Sequence, residues 1–171
     1  MLITSIASTL EKMDILDAFR EHSWFYLGTL GVLGLMVGSF LNVVIHRLPK
    51  MMEADWKQQC TEYLHPERAT EIASQPAPAK YNLVVPRSAC PSCGHLITAM
   101  ENIPVLSYVA LGGKCSACKT KISMRYPAIE ALTGLLTAFL AWKFGVSVAA
   151  ACAIGFTWAL IALTFIDAPQ R

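Results

Sequence analysis

The chain has 171 residues, of which 54% are hydrophobic and only 15% carry a charge. An apolar content this high, concentrated in a few long runs, excludes an ordinary soluble domain and indicates a membrane protein. The net charge of +2 comes without a block of Lys and Arg or an aromatic platform, which argues against nucleic acid as a partner.

The first apolar run, residues 24–45, reads WFYLGTLGVLGLMVGSFLNVVI and contains no charged side chain. Its length matches the roughly 20 residues that a helix needs to cross the hydrocarbon core of a bilayer. The preceding residues 1–23 hold four acidic and two basic side chains, whereas a cleaved signal peptide begins with a basic segment. We therefore predict an extracytoplasmic segment at 1–23 and a retained transmembrane helix at 24–45.

Small and polar residues mark one side of this predicted helix. Gly34 and Gly38 form a small-xxx-small pair, which allows a second helix to approach closely. Asn42 lies near the inner end of the helix, where an amide is costly to leave unpaired. We therefore expect a close helix interface here, with Asn42 bonded across it.

The loop between the first and second apolar runs, residues 46–125, holds ten of the fourteen Lys and Arg residues. By the positive-inside rule this loop is cytoplasmic and the N-terminus lies outside. Within the loop, residues 51–64 repeat apolar side chains at helical spacing. This pattern predicts an amphipathic helix that lies on the bilayer interface or packs against the rest of the loop. Residues 74–80 are typical of a stiff linker.

Four of the six cysteines form two Cys-x-x-Cys pairs in this loop: Cys90, Cys93, Cys115 and Cys118. Cytoplasmic thiols stay reduced, which disfavours a disulfide. Four thiolates at this spacing supply the tetrahedral ligand set of a structural zinc site, so we predict zinc. Gly94 and the pair Gly112 and Gly113 give the backbone the freedom that tight turns near a metal require. A disulfide in an inverted topology and a thiol redox site are the alternatives.

The second and third apolar runs, residues 126–144 and 146–166, are joined by the short segment KFGVS, which predicts an antiparallel helical hairpin. Glu130, one turn into the first of these runs, either complements the helix dipole, with Arg125 as a possible partner, or lines a substrate pocket. Asp167 ends the last run at the inner face. A carboxylate there marks a functional site, with a plain interfacial residue as the alternative.

Five motifs occur along the chain in this order: GSFLNVVIHRLP, CPSCGH, ENIPVLSYVALGGKCSACK, ISMRYPAIE and the terminal FID. Together they resemble the type IV prepilin peptidases of bacteria, also called leader peptidase/N-methyltransferases. The resemblance covers most of residues 28–168. It is specific because several motifs share the order found in the family.

The resemblance implies an inner-membrane enzyme that removes the leader of type IV prepilins and type II secretion pseudopilins. Such an enzyme then methylates the new N-terminus with S-adenosylmethionine, whose binding residues the sequence does not assign. The resemblance also implies an aspartic-type mechanism with two membrane-edge aspartates, the first of them at Asp167. One carboxylate acts as base toward water and the other as acid. The four cysteines fall where the family has its zinc-type cytoplasmic domain.

In the family, the second aspartate lies in a Gly-x-Gly-Asp motif, which does not occur in these 171 residues. A single carboxylate does not support the family's proteolysis, so we expect a fragment or a truncated or frame-shifted form in which residues 167–171 are a shortened tail. The alternatives are a non-catalytic zinc-binding membrane protein that binds pilin or an assembly partner, and a membrane thiol oxidoreductase.

The expected architecture is therefore all-α in the membrane. It has three transmembrane helices at 24–45, 126–144 and 146–166, and a small zinc-bound cytoplasmic insert domain at 46–125.

Overall fold

The computed structural model of the protein describes residues 19–64 and 81–168. Its helices are α1 (Ser23–Leu64), α2 (Leu106–Ala110), α3 (Arg125–Phe144) and α4 (Val148–Asp167), with a 3₁₀ turn at Met100–Asn102. Within the described residues, β pairing is confined to two isolated bridges, Ala89 with Leu96 and Lys114 with Lys121. The expected helical architecture is confirmed for this part of the chain.

Helix α1 is one continuous helix of 42 residues with Pro49 inside it, so the helices predicted at 24–45 and 51–64 are not separate elements. At about 1.5 Å per residue it is about 63 Å long, roughly twice the thickness of the hydrocarbon core. Beyond Pro49, the side chains of Met52, Trp56 and Tyr63 are exposed. Packing of this face against the rest of the described chain is therefore not observed, and its contact with a bilayer interface stays a prediction. The predicted linker at 74–80 lies outside the described residues.

Helices α1 and α3 pack closely at the glycines of α1. A Cβ atom added to Gly34 would lie 2.6 Å from the Oγ1 atom of Thr137, and one added to Gly38 would lie 2.8 Å from the Cα atom of Glu130. Asn42 donates from Nδ2 to the carbonyl oxygen of Tyr126 at 3.1 Å. The small-xxx-small interface and the partner expected for Asn42 are both confirmed.

Two hydrogen bonds at opposite ends of this interface set the direction of the helices. Asn42, in the middle of α1, bonds to the first turn of α3. Tyr26, at the start of α1, donates from its hydroxyl to the carbonyl oxygen of Gly145, just after the end of α3, at 2.9 Å. Helices α1 and α3 are therefore antiparallel.

Helices α3 and α4 form the predicted hairpin. Gly145 ends α3 with a positive φ of 59°, and the Ser147 hydroxyl accepts a hydrogen bond from the N–H of Ala150 to cap α4. Trp158 of α4 donates from Nε1 to Oγ1 of Thr137 at 2.9 Å. At the other end, the Arg125 guanidinium donates to the carbonyl oxygen of Phe165. The two helices are thus antiparallel, and α4 runs in the same direction as α1.

The interior of this three-helix bundle is small, and much of its apolar surface faces outward. The buried apolar cluster consists of Leu41, Ile45, Ile129 and Ile161. Large exposed apolar side chains occur on all three helices, among them Met36, Phe40, Leu135, Phe139, Phe156 and Leu163. An apolar belt of this kind is unfavourable in water and suits a surrounding of lipid.

Helices α1 and α4 are long and apolar enough to cross a membrane. Helix α3 has 20 residues but also carries Arg125, Glu130 and Lys143, which lower its hydropathy. Its polar Thr133 and Thr137 are fully buried and donate their hydroxyls to carbonyl groups one turn earlier in the helix. The span at 126–144 therefore stays a prediction.

We expect Gly38→Val to destabilise the bundle by about 1–3 kcal/mol, because the added side chain meets the α3 backbone and cannot be accommodated without separating the helices. Gly28→Val is the matched control, since no atom lies within 4 Å of its added Cβ. Thermal unfolding in detergent measures both variants. Equal unfolding midpoints would contradict close packing at Gly38.

Candidate metal centre and adjoining groove

The four predicted cysteine ligands come together in the structure. The Sγ atoms of Cys90, Cys93, Cys115 and Cys118 all lie within 4.8 Å of one another. The Sγ atoms of Cys90 and Cys118 are 3.8 Å apart, which matches the edge of about 3.8 Å in a tetrahedron with metal–sulfur bonds of about 2.3 Å. The cluster could therefore hold a metal ion, and its all-sulfur donor set fits zinc.

Each cysteine pair lies in a turn of the same design. The N–H of Cys90 donates to the carbonyl oxygen of His95, and the N–H of Gly94 donates back to that of Cys90, both at 2.9 Å. In the second turn, Cys115 bonds in the same way to Thr120, and Lys119 bonds back to Cys115. The two turns therefore present their sulfur atoms in equivalent geometry.

Both turns require a residue with positive φ at the same position. Gly94 occupies it in the first turn with φ of 72°, as the sequence predicts. In the second turn the position belongs to Lys119, with φ of 60°, whereas Gly112 and Gly113 take positive φ values earlier, after α2. Sequence analysis missed Lys119, because a non-glycine residue gives no signal of this conformation.

The thiols of Cys93 and Cys118 have pKa values shifted in opposite directions. The hydroxyl and N–H of Thr120 hydrogen-bond the sulfur of Cys118 and lower its pKa to about 6. The N–H of His95 lowers the pKa of Cys93. Hydrogen bonds to the neighbouring thiols, of which Cys118 has the largest effect, and desolvation act in the opposite direction. Together they outweigh the effect of His95 and raise the pKa of Cys93 to about 11. A cation is needed to keep four thiolates this close, because their charges repel.

Glu101 joins the two cysteine turns from outside the cluster. It accepts a hydrogen bond from the N–H of Thr98 at 2.8 Å and pairs with Nε2 of His95 at 3.3 Å. The Ser116 hydroxyl, followed by the groups of Thr98, lowers the pKa of Glu101 to about 2. His95 follows the first turn and Ser116 lies within the second, so one carboxylate holds both. Sequence analysis missed Glu101, whose role depends on contacts formed only in the folded loop.

A groove of about 490 Å³ lies between the cysteine turns, the middle of α1 and the N-terminal end of α3. Arg47 and Glu130 line it from the two helices. The guanidinium of Arg47 donates to the carbonyl oxygens of Asn82 and Pro86 at 2.9 and 2.6 Å. Glu130 accepts from the N–H of Val105 at 2.8 Å. The two helices are thereby tied to the segments before and between the cysteine turns.

Two polar predictions for the ends of the helices have different outcomes. Arg125 bonds to the carbonyl oxygen of Phe165 and lies over its ring, so the pairing of Arg125 with Glu130 considered from the sequence is not what the structure shows. Asp167 is exposed at the last position of α4, two residues beyond Phe165. It lies at the same end of the bundle as the groove but does not line it.

Comparison with known protein families finds a match over most of the chain. The sequence model of the bacterial peptidase A24 N-terminal domain matches residues 32–144. The chain therefore belongs to the bacterial A24 peptidase family.

Similar proteins named prepilin leader peptidase/N-methyltransferase occur in several bacteria. The Pseudomonas aeruginosa protein is 50% identical over 93% of this chain and 53% of its own length. The Stutzerimonas stutzeri protein is 54% identical over 82% of this chain and 46% of its own length. The Aeromonas hydrophila protein is 47% identical over 90% of this chain and 51% of its own length. The chain spans about half the length of these relatives, and no solved structure matches it significantly.

We expect the purified chain to bind one zinc ion, and Cys115→Ser to abolish stoichiometric binding because three thiolates leave the tetrahedron incomplete. Elemental analysis by mass spectrometry measures the zinc content. Cys60→Ser and Cys152→Ser are the matched controls, since both cysteines are exposed and lie outside the cluster. Full zinc loading of Cys115→Ser would contradict a four-cysteine site.

Glu101→Gln should lower zinc affinity by about 10–100-fold, because the carboxylate orients both cysteine turns. The folded-state pKa of Glu101 lies below its unfolded value of about 4.5. The ionised carboxylate therefore supports zinc binding fully above that pH, and this support is lost only as the pH falls toward about 2. The ratio of wild-type to variant affinity should therefore stay constant between about pH 6 and 8.

Competition with a chromogenic chelator measures these zinc affinities. Glu53→Gln on the exposed part of α1 serves as the control, since Glu53 pairs with Lys57 and lies outside the cysteine cluster. Equal affinities of the Glu101 and Glu53 variants would show that Glu101 does not support the metal centre.

Proposed function

We propose that the chain forms the zinc-binding, membrane-embedded half of a prepilin leader peptidase and N-methyltransferase. The observation that carries this proposal is about 50% identity to proteins of that name across nearly the whole chain. The four-cysteine cluster at one end of the helix bundle supports it. The substrates are prepilins or pseudopilins, and the surrounding phase is the lipid of the bacterial inner membrane.

We propose three membrane spans, formed by the first half of α1, by α3 and by α4, with the cysteine module on the cytoplasmic side. The outward-facing apolar belt supports this arrangement. So does the basic character of residues 46–125, which contain ten of the fourteen Lys and Arg residues. Asp167 then lies at the cytoplasmic membrane edge.

Zinc in this proposal is held by Cys90, Cys93, Cys115 and Cys118. It supplies a cross-link between two loop segments that could barely bury a core alone. The hydrogen bonds of Arg47 and Glu130 then fix the position of the module against the bundle. The module's function is to present a defined surface beside the site of cleavage.

Asp167 acts in this proposal as one of two carboxylates that hydrolyse the leader peptide bond. One carboxylate takes a proton from the attacking water, whose oxygen adds to the carbonyl carbon, while the other gives a proton to the departing amine. The second carboxylate must come from outside these 171 residues, which lack the family's Gly-x-Gly-Asp motif. S-adenosylmethionine would supply the methyl group that the freed amine accepts.

The test is a chimera in which this chain replaces the corresponding half of the Pseudomonas aeruginosa relative. Mass spectrometry of a prepilin incubated with the chimera and S-adenosylmethionine in detergent should show loss of the leader and gain of one methyl group. Asp167→Asn should slow cleavage by at least about 10³-fold, because a general acid–base group is lost. Asp55→Asn, an exposed position on α1, is the matched control.

Rapid cleavage by the Asp167→Asn chimera would overturn the role of Asp167, and a folded, zinc-loaded chimera that leaves prepilin intact would overturn the proposed enzyme. The isolated chain has only one of the two proposed carboxylates, so we expect it to leave the leader attached.

A further inference from the structure

Four charged side chains line the groove beside the metal centre: Arg47, Glu101, Lys121 and Glu130. Glu101 pairs with His95, whereas Arg47 and Glu130 form no ion pair with each other or with another side chain in the described residues. Arg47 is 8% exposed. Its guanidinium donates to two backbone carbonyls and lies over the ring of Tyr81. Glu130 is partly buried and accepts from the backbone N–H of Val105. Charges removed from water in this way are costly unless an opposite charge joins them.

Both groups keep capacity for a ligand. A guanidinium has five N–H donors, and hydrogen bonds to Asn82 and Pro86 account for two of them. A carboxylate has about four acceptor positions, and the N–H of Val105 accounts for one. The groove therefore offers donors with positive charge on one side and acceptors with negative charge on the other.

Arg47 and Glu130 line the groove from two antiparallel helices. Helical side chains tilt toward the N-terminus of their own helix. Because α1 and α3 are antiparallel, Arg47 tilts back toward Asn42, and Glu130 tilts toward Tyr126, which Asn42 contacts. Gly38 lies against Glu130, and Arg47 is nine residues further along α1, a rise of about 13 Å.

We propose that this groove binds the α-amino-acid part of the methyl donor, with Arg47 facing its carboxylate and Glu130 facing its positive charge. This inference rests on the proposed N-methyltransferase function, and it names the site that the sequence leaves unassigned. S-adenosylmethionine carries an α-carboxylate, an α-ammonium and a sulfonium, so its charges complement both sides. The groove's volume of about 490 Å³ lies in the range of small-molecule sites.

The experiment measures ligand binding by isothermal titration calorimetry on the zinc-loaded chain in lipid nanodiscs. S-adenosylhomocysteine retains the amino-acid part, whereas 5′-methylthioadenosine lacks it. The wild-type chain should bind S-adenosylhomocysteine at least about tenfold more tightly. Arg47→Met and Glu130→Gln should each weaken that binding at least about tenfold, as expected for loss of a charged hydrogen bond. Binding of 5′-methylthioadenosine, measured by competition, should change by less than about threefold.

Matched controls exist on the exposed part of α1. Lys57→Met and Glu53→Gln remove the two charges of an exposed ion pair far along the same helix and should leave both ligands unaffected. Arg47→Lys keeps the charge and should retain more affinity for S-adenosylhomocysteine than Arg47→Met. Zinc content and the unfolding midpoint of each variant show that it is folded.

Two results would overturn the inference. The first is a folded wild-type chain that does not bind S-adenosylhomocysteine. The second is an equal loss of both ligands in the Arg47 and Glu130 variants, which would show that these residues only hold the groove in shape. Leader removal by the chimera needs no methyl donor, so cleavage without ligand binding defeats this inference alone. Ligand binding with the expected pattern but without cleavage defeats the peptidase proposal alone.

Discussion

The close contact of α1 with α3 is the constraint on which the rest of the structure depends. Gly34 and Gly38 allow the two backbones to approach to a distance that a side chain would prevent. This close approach brings Asn42 to the first turn of α3 and places the backbone of Glu130 against Gly38 of α1. The cysteine module, which connects the two helices in sequence, is then held by bonds from both of them. The groove lies between this module, the middle of α1 and the start of α3.

The parts of the structure that were predictable from sequence depend on local spacing. Two Cys-x-x-Cys pairs predict a four-sulfur cluster because each pair places its two thiols in one turn. Gly34, Gly38 and Asn42 predict a helix interface because residues four apart in sequence share one face of a helix. The KFGVS segment is so short that the two helices it joins must pack as an antiparallel hairpin. In each case the signal lies in residues close together in the chain, although the partners can lie far away, as Tyr126 does from Asn42.

The remaining features could not be predicted because no local pattern in the sequence marks the partners of the residues involved. The partners of Arg47 lie 35 and 39 residues away, and that of Glu130 lies 25 residues away. The end of α1 was misjudged for another reason. Charge at residues 46–50 marks a membrane edge, but a helix satisfies its own backbone hydrogen bonds and can pass from lipid into water without ending. The pattern of charged and apolar residues therefore indicates which part of α1 suits lipid, but it does not indicate where the helix ends.

The two matched cysteine turns have a consequence for the charge of the chain. The formal net charge of +2 counts the cysteines as neutral thiols. With four thiolates around one divalent cation, the centre itself carries a net charge of −2 and the whole chain becomes formally neutral. Loading with metal therefore does more than close the fold. It places a charge of −2 beside the lysines at 114, 119 and 121, so the net charge of this surface depends on whether the metal is present.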